Sequence, residues 1–174
     1  TSSRIVNNGA GTLTITGAVA GATSLWIGGE GNTLISGGLG SAGIALTKYD
    51  AGTLTLSSIS NQNTALVRIN GGTLAYGVAN ALLTPLVTVA GGTLDLKGFN
   101  ETNLSTVTLI EGSIVNTGGA ATLTSTQTYV FESGTVSAVI NSAIAGGIAK
   151  NTAGKVIISG DNTFTSTSIA VNAG

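Results

Sequence analysis

The chain has no cysteine and no histidine, a single proline at Pro85, and charged side chains at only 7% of its 174 positions. Without cysteine there is no disulfide framework, no thiolate zinc site and no thiol nucleophile. Without histidine the commonest acid–base residue and metal ligand is missing. Typical domains carry roughly 25% charged residues, so ion pairs have little part in holding this chain together. The six basic residues are spread along the sequence against seven acidic ones, for a net charge of −1. That distribution makes no basic footprint for nucleic acid or for an anionic membrane. No apolar run approaches the roughly 18 residues of a membrane-spanning helix. The first residue is Thr1 and no signal-like segment follows, the pattern expected of a mature or excised product.

What is abundant is Gly, Thr, Ser and Asn set among 42% hydrophobic residues, enough to bury a core. The regular spacing of Leu, Ile and Val argues against a disordered Gly/Ser-rich chain. The spacing is visible at Gly52-Thr53-Leu54, Gly72-Thr73-Leu74 and Gly92-Thr93-Leu94. The anchor extends to Gly11-Thr12-Leu13, Asn32-Thr33-Leu34, Gly112-Ser113-Ile114, Gly134-Thr135-Val136 and Gly154-Lys155-Val156. Measured at the residue after the Gly or Asn, the steps are 21, 20, 20, 20, 20, 22 and 20. A fixed period of this length is the signature of a repeat architecture.

Each repeat holds two apolar runs. One follows the anchor, as in Leu54 and Leu56 or Leu94 and Leu96; the other precedes the next anchor, as in Leu25 and Ile27, Val67 and Ile69, or Val87 and Val89. Both alternate apolar with polar or small residues, the period-two pattern of half-buried strands. Turn formers separate them: Gly17 to Gly21, Ser60-Asn61-Gln62-Asn63, Gly98-Phe99-Asn100, Asn116-Thr117-Gly118-Gly119 and Ser159-Gly160-Asp161-Asn162. Two short strands in 20 residues are too few for a propeller blade or a sandwich unit, but they suffice for one coil of a parallel β-helix. The prediction is one all-β domain over residues 1–174, a right-handed parallel β-helix (solenoid) of about eight coils of about 20 residues each. Coils about 4.8 Å apart make a rod on the order of 40 Å long. The 22-residue coil predicts a bulged turn near Gly118-Gly119-Ala120-Ala121, where Thr122-Leu123-Thr124 imitates the anchor. Register is least determined between residues 116 and 150, where Ile144, Ile148 and Lys150 fall less tidily.

Two blocks carry a family resemblance. Leu46-Thr47-Lys48-Tyr49-Asp50-Ala51-Gly52-Thr53-Leu54-Thr55-Leu56-Ser57, continuing to Ile69-Asn70-Gly71-Gly72-Thr73-Leu74, resembles the autotransporter-associated β-strand repeat of bacterial passenger domains. Ile148-Ala149-Lys150-Asn151-Thr152-Ala153-Gly154-Lys155-Val156, with Ser159-Gly160-Asp161-Asn162-Thr163-Phe164-Thr165, is similar to it as well. The two blocks, residues 46–74 and 148–165, span about a quarter of the chain; the other coils match at Gly-Thr-Leu alone. The resemblance implies an exported or cell-surface β-helical stalk of an adhesin-like protein, with no catalytic residue, metal or cofactor. A departure from the family pattern is that no membrane β-barrel translocator is present in the sequence.

Several individual side chains admit both a functional and an ordinary structural role. Glu111 and Glu132 are expected one coil apart near one corner, the nearest approach to the paired carboxylates of a carbohydrate-active enzyme; two solvated turn residues are the plainer account. Asp95 and Lys97 form a surface pair of opposite charge, worth little. Gly28-Gly29-Glu30-Gly31-Asn32 faintly resembles a calcium-binding turn, without its Asp and without recurrence. The Thr12/Thr14, Thr53/Thr55 and Thr122/Thr124 pairs suggest the hydroxyl grid of an ice-binding β-helix, broken at Ala75, Asp95, Val115 and Lys155; Thr is also simply a good strand residue. Asn100-Glu101-Thr102 and Asn103-Leu104-Ser105 match the glycosylation sequon. Trp26, Tyr76 and Val115 are expected as exposed apolar contacts. Neither terminal stretch contains a recognisable cap, which predicts open strand edges. The partners implied are another copy stacked end to end, or continuation in a longer passenger, together with a surface or polysaccharide receptor. The expected role is a non-catalytic stalk or fibre module, secreted or on the bacterial cell surface, with ice binding and a carbohydrate-active enzyme as the alternatives.

Overall fold

The computed structural model describes residues 1–40, 43–61, 65–83, 86–141, 146–162 and 168–174. Pro85, Gln62-Asn63, Ile144 and Thr163-Phe164-Thr165 lie outside the described residues. Eighteen strands are described. In the first half these are β1 (Ser2–Val6), β2 (Leu13–Ile15), β3 (Ser24–Gly28), β4 (Thr33–Ile35), β5 (Ala45–Lys48), β6 (Thr53–Leu56), β7 (Leu66–Ile69), β8 (Thr73–Tyr76) and β9 (Leu86–Asp95). The second half has β10 (Glu101–Leu104), β11 (Val107–Val115), β12 (Thr122–Ser125), β13 (Tyr129–Phe131), β14 (Gly134–Val136), β15 (Val139–Asn141), β16 (Ile148–Lys150), β17 (Val156–Ile158) and β18 (Ile169–Val171).

Every pairing is parallel, and the chain is a β-solenoid. On the first face, β1, β3, β5, β7, β9, β11, β13, β16 and β18 hydrogen-bond in that order. The second face runs β2, β4, β6, β8, then the C-terminal ends of β9 and β11, then β14 and β17. A third, shorter sheet is β10-β12-β15. Leu54, Leu74, Leu94, Ile114 and Val136 occupy successive rungs of one inward column. With the inward residues of the other faces they form one hydrophobic cluster from Leu25 to Ile148. At about 1.5–3 kcal/mol per buried aliphatic side chain, that core is the main source of stability.

The glycine of the repeat has a physical reason. At the corner between the first and second faces, consecutive coils approach backbone to backbone. A Cβ on Gly52 would run into the Gly31 carbonyl, one on Gly112 into Gly92 and one on Gly134 into Gly112. Gly112 and Gly134 also have φ of 104° and 121°, the left-handed region that disfavours any residue with a Cβ. The corner also explains the lysine shared by the two blocks of family resemblance. Lys48 sits at an inward position with 2% of its surface exposed. Its Nζ donates to the carbonyls of Tyr49 (2.6 Å), Asp50 (2.8 Å) and, one coil on, Gly71 (3.4 Å). Lys150 repeats this arrangement with Thr152 and Ala173. Burial lowers the Lys48 pKa, against attraction from Asp50 and Glu30.

Several expectations need correction. Thr33 pairs with Leu13 and Leu54, so Thr33 faces inward and Leu34 outward, one residue out of step with the anchor spacing. A one-residue slip exchanges the faces of a strand, and Ile35, opposite Ile15 and Leu56, supplies the apolar contact. At the far end Val156 lies opposite Gly134 and Ile158 opposite Val136, a step of 22 rather than 20. The chain bends at residues 118–120, and Thr122-Leu123-Thr124, which imitates the anchor, instead belongs to β12, the centre of the third sheet. Tyr76 is an inward residue opposite Leu56, not an exposed one, and Val115 is half-buried.

Candidate functional site

The third side of the solenoid concentrates the buried polar groups. In the C-terminal half it is closed by β10, β12 and β15; in the N-terminal half the backbone contributes a single bridge among the described residues, Val19 to Leu39. Side chains replace the missing ladder. Asn61, fully buried, accepts from Leu39 N–H (3.0 Å) and donates to the Ser58 and Ala81 carbonyls (2.6 and 2.5 Å). Glu101, also fully buried, accepts from Leu82 N–H (3.1 Å) and Asn103 N–H (3.2 Å). Asn162 accepts from Ile140 N–H (2.7 Å). Burial pushes the Glu101 carboxyl above the ordinary value, opposed by these N–H bonds. Burial, with the nearby Glu101 charge adding to it, raises the pKa of the Tyr76 hydroxyl, which does not reach hydrogen-bond geometry. From the first face Tyr129 reaches across the interior: its hydroxyl accepts from Ser125 N–H (2.9 Å) and sits 2.8 and 2.9 Å from the Leu123 and Asn141 carbonyls.

These groups are internal braces, and the carboxylates singled out from sequence behave similarly. Glu132 turns toward the next coil, where it accepts from Asn151 N–H (2.9 Å) and Asn151 Nδ2 (3.3 Å). Desolvation opposes its ionisation, but the bonds from Asn151 and Thr152 together outweigh it and lower its pKa. Glu111 is exposed where β11 bulges against Ala90. Asp95 makes no surface pair with the Lys97 ammonium; it is 6% exposed and accepts from Lys97 N–H (3.0 Å), Thr117 N–H (3.0 Å) and Thr117 Oγ1 (2.7 Å). The glycines of residues 28–32 serve close coil stacking: a Cβ on Gly29 would meet the Asn7 backbone and one on Gly31 the Gly9 carbonyl. Asn100 of the first sequon accepts from Thr122 N–H (2.8 Å), and Asn103 of the second is half-buried. Among the described residues, no group of three or more His, Cys, Asp or Glu side chains is placed to hold a metal ion.

The outward hydroxyls form one ladder rather than a grid. Thr53, Thr73, Thr93, Ser113 and Thr135 follow one another on successive rungs, with Ser113 and Thr135 hydroxyls 2.9 Å apart. The neighbouring column reads Thr14, Leu34, Thr55, Ala75, Asp95, Val115.

A cluster on the first face escaped the sequence reading. Arg4, Trp26, Thr47 and Arg68 share one outward column on successive rungs. Tyr49, at the corner beside it, lays its ring where a Gly28 side chain would be. The Trp26 and Tyr49 rings meet edge to face, with centroids 6.1 Å apart at 66°. Arg4 sits 5.3 Å above the Tyr49 centroid and donates to its hydroxyl from Nε (3.2 Å) and Nη2 (2.8 Å). With Ser2 these residues line a concavity of about 400 Å³. The signal was present in the spacing, since these positions lie 22, 21 and 21 residues apart, but it becomes visible only once the rungs are aligned.

Comparison of the chain with protein-family models, curated proteins and solved structures finds no match.

Proposed function

We propose that this solenoid is a non-catalytic structural module, a stalk or fibre element that seats further coils on its open edges. The carrying observation is the state of the terminal rungs. Among the described residues, β1 and β18 pair on one side only, as do β2 and β17. In β18, Ile169 and Val171 are 56% and 64% exposed. Ile169 and Val171 continue the first-face columns of Ile148 and Lys150, so the surface on offer is a strand edge backed by a cross-section of the core. Such an edge accepts another strand of the same kind. A further coil of a longer array and the first coil of a second copy satisfy it equally. The resemblance of residues 46–74 and 148–165 to autotransporter repeats supports an extracellular, adhesin-like setting on a bacterium. Sedimentation velocity of the 174-residue chain tests the reading. Concentration-dependent growth into longer rods, lost in Ile169→Lys and Val171→Lys, is expected; a monomer persisting at high concentration counts against it.

A further inference from the structure

We infer that the first face binds an acidic oligosaccharide lying along the solenoid axis, with sugar rings against Trp26 and Tyr49 and carboxylates on Arg4 and Arg68. Both arginines and the sole tryptophan of the chain stand in one outward column of that face. Lys48 and Lys150 spend their ammonium groups on corner carbonyls, while Arg4 gives Nε and one Nη2 proton to Tyr49 and keeps its Nη1–Nη2 edge for a ligand. The outward positions of β1, β3, β5 and β7 are Ser2, Arg4, Val6, Ser24, Trp26, Gly28, Ala45, Thr47, Leu66 and Arg68, with no carboxylate among them. Asp50, at the adjoining corner, accepts from Gly29 N–H at 3.0 Å, and its charge also attracts Arg4. A face of this composition favours a polyanion over a neutral chain.

The chemistry narrows the anion further. Guanidinium forks match planar carboxylates in a two-pronged geometry. Trp26 is 41% exposed, and an aromatic face of this kind takes the apolar C–H face of a pyranose, leaving its hydroxyls to water. The rings are ordered before any ligand arrives: Arg4 fixes Tyr49, and Tyr49 fixes the edge of Trp26. Arg4 and Arg68 are three rungs apart, about 14 Å at the parallel-strand spacing. A monosaccharide does not reach both, whereas an extended oligomer does. The inference rests on this face alone and holds whether or not the rod ends stack.

The sole tryptophan makes the test direct. Titration with hexagalacturonate, followed by Trp26 emission at low salt, should give a saturable change with a dissociation constant on the order of 0.1–1 mM. Arg68→Gln should weaken it about tenfold, and raising the salt to about 0.15 M should weaken it as well. Calorimetry with Trp26→Ala should lose the binding heat while the sedimentation profile stays that of the parent chain. Cellohexaose should bind at least about tenfold more weakly, having no carboxylate for the arginines. The inference is overturned by an absent or unsaturable response, or by equal affinity for cellohexaose. It is overturned too by equal affinity for a hexaglutamate peptide, which would assign the face to charge alone, or by unchanged affinity in Arg68→Gln.

Discussion

The corner between the first and second faces and the third side of the solenoid solve the same problem by different means. At the corner, coil rests on coil through main-chain atoms, and the side chain is removed to let them meet. On the third side, side-chain amides and a carboxylate reach across where the backbone ladder is missing. A corner built from the backbone tolerates almost no substitution and leaves a periodic mark in the sequence. A side closed by side chains leaves no such mark, because its polar residues resemble those of any turn.

The largest effect should come from placing a side chain in the corner. Gly112→Ala must fit a Cβ against the Gly92 carbonyl at φ 104°, and should cost about 3 kcal/mol or more in urea unfolding. Gly119→Ala, on the third side with nothing within 4 Å of its Cβ, should change stability by less than about 0.5 kcal/mol. Equal losses at the two sites would erase the distinction drawn above. Next in size is Glu101→Ala, which orphans the Leu82 and Asn103 N–H groups and should cost about 2–4 kcal/mol. A near-neutral result would mean that the third side does not depend on its side-chain braces. Lys48→Met keeps the buried stem but abandons the Tyr49 and Asp50 carbonyls; a loss of about 2 kcal/mol is expected, well above that for Lys150→Met in the more exposed terminal coil.

The smaller effects sharpen the comparison. Thr33 buries a hydroxyl that finds no partner among the described residues, so Thr33→Val should gain about 1 kcal/mol. A loss would argue for the register in which Thr33 faces outward. The pH dependence follows from Glu101. Its carboxyl binds a proton more tightly in the folded chain than in the unfolded one, whose reference value is 4.5. The resulting stability is therefore fully present below that value and declines as pH rises through the folded pKa. Glu132, lowered in the folded chain, contributes in the opposite sense, losing stability as pH falls below the same reference. Urea midpoints of the parent chain minus those of Glu101→Gln should thus fall as pH rises from about 4.5 toward neutrality; a flat difference would place the Glu101 carboxyl in a solvated setting.

How much of this was readable in the sequence follows the same division. Gly-Thr-Leu gave away the solenoid and the columns of Leu54, Leu74 and Leu94, because the steric demand at the corner recurs in every coil. The lysine common to residues 46–57 and 148–156 was visible as a resemblance, but its work of bonding corner carbonyls was not. Thr33 misled because an anchor with Asn32 in place of Gly fits the spacing equally well one residue out of register, and only the burial of Ile35 decides between them. Asn61 and Glu101 look like turn residues on paper, since nothing local announces that a polar side chain points into the core. The Arg4–Trp26–Arg68 column was hidden because longer corner segments in the first three coils make its steps longer than the anchor period.

The central claim is that coils stack in parallel with one rung per repeat, and distances along one outward column test it most directly. The chain lacks cysteine, so Thr53→Cys with Thr135→Cys provides two unique spin-label sites, four rungs apart through Thr73, Thr93 and Ser113. Pulsed electron resonance should find them about 19 Å apart, allowing for the label tethers, in one narrow distribution. A much longer or broad separation for these sites, 82 residues apart in sequence, would contradict the stacked solenoid.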